Sequence, residues 1–313
     1  MRARLLRKGF MVAAVASMLA LEPMAGCASH ACIQRRAEIT SLVRGHDREK
    51  DALSALDSMS RYGDRYTASA VDRVPAHYER AGALARELGM PDDSSTRLNL
   101  AYAIAAVGET RAAELHRALG ITYFMRYSRS MLEAVYANMH EAASERPVLA
   151  IGFNLADHNG AFYREGLALD PLLRGYRVFL FEAGGEKAFY SMLDSIASKQ
   201  GKLSALVVGG HGNPGSVQLG GNDEQGQLDL SDGDELRALR KDFVSEPIVV
   251  LVSCSTGADG DAVGAVISRA LGARLYAPVT PSSRTSYHLD GRGLISSVSY
   301  DVQTRNFVEG VAR

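Results

Sequence analysis

Apolar positions along the chain fall into two textures. From about residue 33 to 145 they recur at spacings of three and four with few β-branched runs, which predicts helices. Asp93-Ser94-Ser95 is a polar cap for a helix running through Leu98, Tyr102 and Ala105 and ending at Gly108. A second helix places Met131, Leu132, Val135, Tyr136 and Met139 on one face. No repeat of fixed period emerges. The stretch from Gly63 to Pro75 is polar and interrupted and takes no assignment.

After Pro147 short apolar runs alternate with amphipathic stretches. The runs are Val148 to Phe153, Arg177 to Phe181, Leu203 to Gly209, Pro247 to Ser253 and Ala273 to Pro278. Phe189, Met192, Leu193 and Ile196 mark one intervening helix, ended by Gly201. Ala262, Val263, Val266, Ile267 and Ala270 mark another, closed by Gly272. Continuous apolar strands joined by helical crossovers give an α/β fold with a mostly parallel sheet flanked by helices, because only burial on both faces removes the need for alternation. The expected organisation is a helical region over 27–146 and an α/β domain over 147–313. Asp229, Asp232 and Asp234 precede a short helix, where acidic caps are expected. The paired glycines at 184, 209 and 220 lack the spacing of a nucleotide motif and read as turns.

The start of the chain differs from the rest. Arg2, Arg4, Arg7 and Lys8 precede the apolar run Phe10 to Leu21, the order of a secretory signal and too short to span a bilayer. The run leads into Met24-Ala25-Gly26-Cys27, which resembles a bacterial lipobox. That resemblance implies a signal peptide over 1–26, a lipid on Cys27 and a cell-envelope lipoprotein. Ala28 after the cysteine lacks the aspartate of inner-membrane retention, so the expected address is the outer membrane. Cleavage near Ala28 to Ala31, giving a periplasmic or secreted chain, is the alternative.

The formal net charge of -1 and pI near 6.7 exclude a general electrostatic attraction to nucleic acid. Three cysteines, Cys27, Cys32 and Cys254, are too few for a disulfide scaffold. A convergence of His158, His211, Cys254 and His288 on zinc lacks the short ligand pairs such sites use, so no metal and no cofactor is expected.

In a parallel sheet, sites form where loops leave the carboxyl ends of strands. The third run ends in Val208-Gly209-Gly210-His211-Gly212, and the fourth in Val252-Ser253-Cys254-Ser255-Thr256-Gly257. If these strands are neighbours, an imidazole and a thiol emerge side by side, the requirement for thiolate chemistry. The amides of Gly212 and Cys254 then suit a developing oxyanion.

An apolar strand ending in His-Gly, followed by one ending in a small residue and Cys, resembles the caspase-like (clan CD) cysteine peptidases. The cysteine follows the histidine by 43 residues, comparable with the roughly 50 of caspases. Val148 to Tyr163 and Leu172 to Val178 look like the first strand, its loop and the entry to the second strand of that caspase-haemoglobinase-like fold. The resemblance covers 147–313 only. It implies a cysteine endopeptidase with His211 and Cys254 as the catalytic pair and peptides or proteins as substrates. Ser253-Cys254-Ser255-Thr256-Gly257 departs from the caspase block, and no arginine stands mid-loop to bind a substrate aspartate. The loops that wall the pocket in this family carry Asp157, Asp259 and Asp261 here, which implies a preference for a basic residue before the cut bond; Arg164 in the first loop would oppose it. The alternative is an inactive relative acting as a binding or scaffold protein. The oligomeric state is left open.

Overall fold

The computed structural model describes residues 30–45, 52–53, 73–141, 144–155, 157, 162, 166–220, 224–302 and 307–309. The signal-like segment, Cys27, His158 and Arg164 lie outside the described residues.

The N-terminal half is helical: α1 (His30–Val43), α2 (Val74–Glu87), α3 (Ser94–Val107), α4 (Glu109–Leu119) and α5 (Arg129–His140). Asp93 caps α3 as its sequence foretold, its carboxylate accepting the Thr96 N–H at 2.8 Å. Arg97 is the one residue of α3 that is not buried, so this helix forms the centre of the helical layer rather than a surface. Ser128 caps α5 in the same way, accepting the Met131 N–H at 3.0 Å.

A five-stranded sheet follows, in the order β2-β1-β3-β7-β8 and parallel throughout. Its strands are β1 (Val148–Asn154), β2 (Arg177–Ala183), β3 (Leu203–Gly209), β7 (Phe243–Val252) and β8 (Arg274–Tyr276). Every residue of β1 and β2 is buried, which explains the unbroken apolar runs. Helices α6 (Glu186–Gln200), α7 (Gly233–Ala238) and α8 (Val263–Leu271) form the crossovers. Right-handed crossovers put all three on one face, where α7 packs on α8. On the β2 side, α5 packs against that edge strand.

Two antiparallel sheets complete the domain. The first joins β4 (His211–Asn213), β5 (Ser216–Gln218) and β6 (Gln227–Asp229). The second joins β9 (Ser282–Leu289), β10 (Ile295–Val302) and β11 (Phe307–Glu309). The Ile295 N–H donates to the Tyr176 hydroxyl at 3.0 Å, tying the second sheet to the entry of β2.

The helical layer is fastened to β2 by a buried cation. Arg177, the first residue of β2, donates to the carbonyls of Asn138 (2.7 Å) and Glu141 (2.6 Å) at the end of α5, where the helix leaves its last carbonyls unpaired. Asn138 returns a bond to the Val178 carbonyl at 2.9 Å. One acidic cap differs from expectation. Asp232 occupies the cap position of α7, but its carboxylate accepts the Asp229 N–H (2.6 Å) and the Tyr190 hydroxyl (2.7 Å) instead of a helix amide.

Candidate active site

The register of the sheet sets the site. Phe153 of β1 pairs with Gly209 of β3, and Gly209 pairs with Val252 of β7. From this one line across three strands, His211 lies two residues beyond its strand position and Cys254 two residues beyond the adjacent one. Asp157 lies four beyond Phe153. The chain leaves β1 toward β2 and leaves β3 toward β7, so this is also where the strand order reverses.

Gly212 shows how closely the two loops approach. A Cβ there would stand 2.9 Å from Ser253 Cβ, 3.0 Å from Thr256 Cγ2 and 3.1 Å from the Cys254 carbonyl oxygen. The loop after β3 therefore touches the loop after β7 through a face that has no room for a side chain. Gly212 pairs with Val217 one step in from a two-residue hairpin turn, at Pro214-Gly215. Pairs beside such a turn are hydrogen-bonded and the next pair is not, so the Gly212 N–H points away from β5.

Cys254 is half-buried and unpaired by any disulfide, and its thiol donates to the Ser282 carbonyl at 3.6 Å, at the start of β9. The next residue, Ser255, has φ 59°, the one positive φ at a non-glycine residue among those described. A β-carbon in that region costs roughly 1–2 kcal/mol. The turn is held by the Ser253 and Thr256 hydroxyls, 3.1 Å apart, and by Gly257 donating to the Pro278 carbonyl at 2.9 Å.

His211 presents Nε2 to Asp157 Oδ1 at 3.5 Å, while its ring stands edge-on to Phe162 with centroids 5.3 Å apart. The second carboxylate oxygen, Oδ2, accepts the Phe162 N–H at 3.2 Å and lies 3.3 Å from Arg126 Nη2. Burial pushes the Asp157 carboxyl up, but the His211 imidazole, the positive charge of Arg126 and the Phe162 N–H outweigh it and hold the group below its ordinary range. Asp157 is thus an ionised carboxylate with a fully covered side chain. This differs from the expected place at the foot of an open substrate pocket. Asp259 and Asp261 lie on the exposed loop after Cys254, where Asp259 accepts the Asp261 N–H at 2.9 Å.

Residues 177–287 match a family model described as a domain of unknown function (DUF8616). The match spans His211 and Cys254 and leaves β1, Asp157 and the helical layer outside it. No curated protein and no solved structure matches the chain. His288, once a candidate zinc ligand, bonds Ser299 Oγ at 2.9 Å within the β9–β10 pair. No group of three metal-binding side chains occurs among the described residues.

Proposed function

We propose that the chain is a cysteine endopeptidase of the caspase-like kind, with Cys254 as nucleophile, His211 as proton carrier and Asp157 as the carboxylate that orients the imidazole. The observation that carries the reading is the shared register: His211 and Cys254 each stand two residues past a pair of neighbouring strand ends, with Asp157 facing the imidazole. A carboxylate at Nε2 favours the tautomer with its proton on that nitrogen, and leaves Nδ1 to take a proton. In the proposed cycle the Cys254 thiol passes its proton to His211 and the sulfur attacks the substrate carbonyl. The Gly212 and Cys254 amides hold the oxyanion, each such donor being worth roughly 3 kcal/mol. His211 protonates the leaving amine as the peptide C–N bond breaks, and water hydrolyses the thioester. The thiol must first leave the Ser282 carbonyl, a rearrangement in keeping with catalytic hydrogen bonds that tighten only on binding substrate.

With Asp157 committed to His211 and Arg126, the preference for a basic residue before the cut bond rests on Asp259 and Asp261. Export and lipid attachment at Cys27 complete the proposal, with the outer membrane as destination. Mass spectrometry of the mature N-terminus tests the anchor: an unmodified start at or beyond Ala28 contradicts it. A peptide-library digest by the purified protein tests the chemistry. Cleavage abolished by Cys254→Ala supports it, and cleavage that survives this substitution refutes it. The second reading, a scaffold without activity, draws on the thiol's bond to Ser282 in place of one to His211.

A further inference from the structure

The helical region contributes a buried cation to the centre of the α/β domain. Arg126 ends a short 3-10 turn over Phe124–Arg126, and its side chain is completely buried. Its Nη1 donates to the Asn154 carbonyl at 2.7 Å and lies 3.2 Å from Glu182 Oε1, while Nη2 lies 3.3 Å from Asp157 Oδ2. The guanidinium carbon stands 4.2 Å from the centre of the Tyr123 ring and 5.9 Å from that of Phe162. One cation therefore joins the end of β1, the carboxyl end of the edge strand β2 and the carboxylate that faces His211.

The same turn is fixed from the other side. Glu182 Oε2 accepts the backbone N–H groups of Thr122 (2.7 Å) and Tyr123 (2.9 Å), and its Oε1 accepts the Tyr127 hydroxyl at 3.1 Å. The Tyr123 hydroxyl donates to the Leu155 carbonyl at 3.0 Å. Removing the helical layer would break both ion pairs, the four hydrogen bonds to Glu182 and Leu155 and the packing of α5 on β2, which disfavours release.

Building on the peptidase reading, we propose that Arg126 is the positioning residue that holds Asp157 in place for His211, and that the helical layer is a permanent part of the active enzyme and not a removable pro-segment. Arg126 acts through Asp157 and touches no reacting atom. It fixes the carboxylate on the oxygen turned away from the imidazole, so that the other oxygen stays aimed at Nε2. Among the described residues, the charged and titratable groups facing this carboxylate are Arg126 from the helical layer and His211 from the loop after β3; Glu182 and Tyr127 meet the arginine from its other side.

The test uses the full chain and iodoacetamide, with alkylation of Cys254 followed by peptide mass spectrometry over an acid-to-neutral pH series. Arg126→Met, Arg126→Lys and His211→Ala are compared with the parent, each with a thermal melt. Arg126→Met is expected to slow alkylation on the order of 10- to 100-fold, the sensitivity of positioned groups to displacements near 1 Å. Its acid limb is expected to move to higher pH, because burial then raises the Asp157 carboxyl with no arginine to oppose it. Arg126→Lys should recover part of both effects. A folded Arg126→Met with parental rate and parental limb overturns the inference, as do melts that fall in both variants while the limb stays put. If His211→Ala leaves the rate unchanged, the peptidase reading falls first; if it slows the rate and Arg126→Met does not, only the arginine's role falls. Should Arg126→Met not fold, a site-specific protease sequence inserted between Ser144 and Glu145 decides. After cutting, the two pieces should co-elute with Cys254 still reactive, whereas release of the helical piece with reactivity kept or raised overturns the proposal.

Discussion

Replacing Gly212 by alanine probes the contact on which the site depends. The added methyl would stand 2.9 Å from Ser253 Cβ, closer than two carbons tolerate, and 3.1 Å from the Cys254 carbonyl oxygen, a tight contact. Neither neighbour is the free end of a flexible side chain. Ser253 is buried and tied to Thr256, and the carbonyl is backbone, so relief requires the loop after β7 to shift by some tenths of an ångström. Overpacking of this kind costs about 1–3 kcal/mol. With Tm falling by about 2–4 °C per kcal/mol in domains of 150–250 residues, the melt should drop measurably. The same shift displaces the Cys254 sulfur and amide, so under the proposed pairing with His211 alkylation of Cys254 should slow by more than the loss of stability explains. Thermal melts and iodoacetamide rates on Gly212→Ala and on the parent give both numbers. If Tm and Cys254 reactivity are both unchanged, the two loops do not meet as described and the shared site fails with them.

Other substitutions separate stability from chemistry. Asp93→Ala removes the cap of α3 and should cost about 1 kcal/mol in urea unfolding while leaving Cys254 reactivity intact. Glu182→Ala leaves the buried Arg126 with Asp157 as its remaining carboxylate and strips the acceptor from the Thr122 and Tyr123 amides, and should cost about 1–3 kcal/mol, read in the same way. Glu186 is pushed up to about 7, by desolvation first and then by Asp232, Asp229 and Glu235. A carboxyl raised on folding binds its proton more tightly in the native state, so stability falls as pH rises from the unfolded value through the folded one. Urea midpoints should therefore decline less between pH 5 and pH 8, a range that covers most of that window, in Glu186→Gln than in the parent. Asp157 has the opposite sign: held low by His211, Arg126 and Phe162, it contributes stability above its ordinary value of 3.8 that is lost as pH falls through the folded value. The advantage of the parent over Asp157→Asn should shrink on acidification.

Much of the sheet was legible because its strands are buried on both faces and so read as unbroken apolar runs, as in Val148–Asn154 and Leu203–Gly209. The cap at Asp93 was legible because capping is local. The antiparallel sheet from Ser282 onward was not, since a strand such as Ser-Ser-Arg-Thr-Ser-Tyr-His-Leu carries its polarity on a partly exposed face and has no apolar run to mark it. The sequence places Asp157 on the loop after the first strand and carries no mark of what it meets there. Whether a carboxylate faces solvent or an imidazole depends on partners far away in sequence, here His211 and Arg126. Arg126 itself gave no signal, because a buried arginine differs from an exposed one only by the groups that meet it. Ser282 was missed for the same reason: its backbone, not its side chain, meets Cys254.

The central claim is that His211 and Cys254 form one chemical unit, and the rate at which iodoacetamide modifies Cys254 at neutral pH measures it most directly, because no substrate needs to be known. The account predicts that Cys254 reacts faster than the thiol of glutathione under the same conditions and that His211→Ala, still folded by its melt, removes the advantage. A Cys254 no faster than glutathione, and indifferent to the loss of His211, would contradict it.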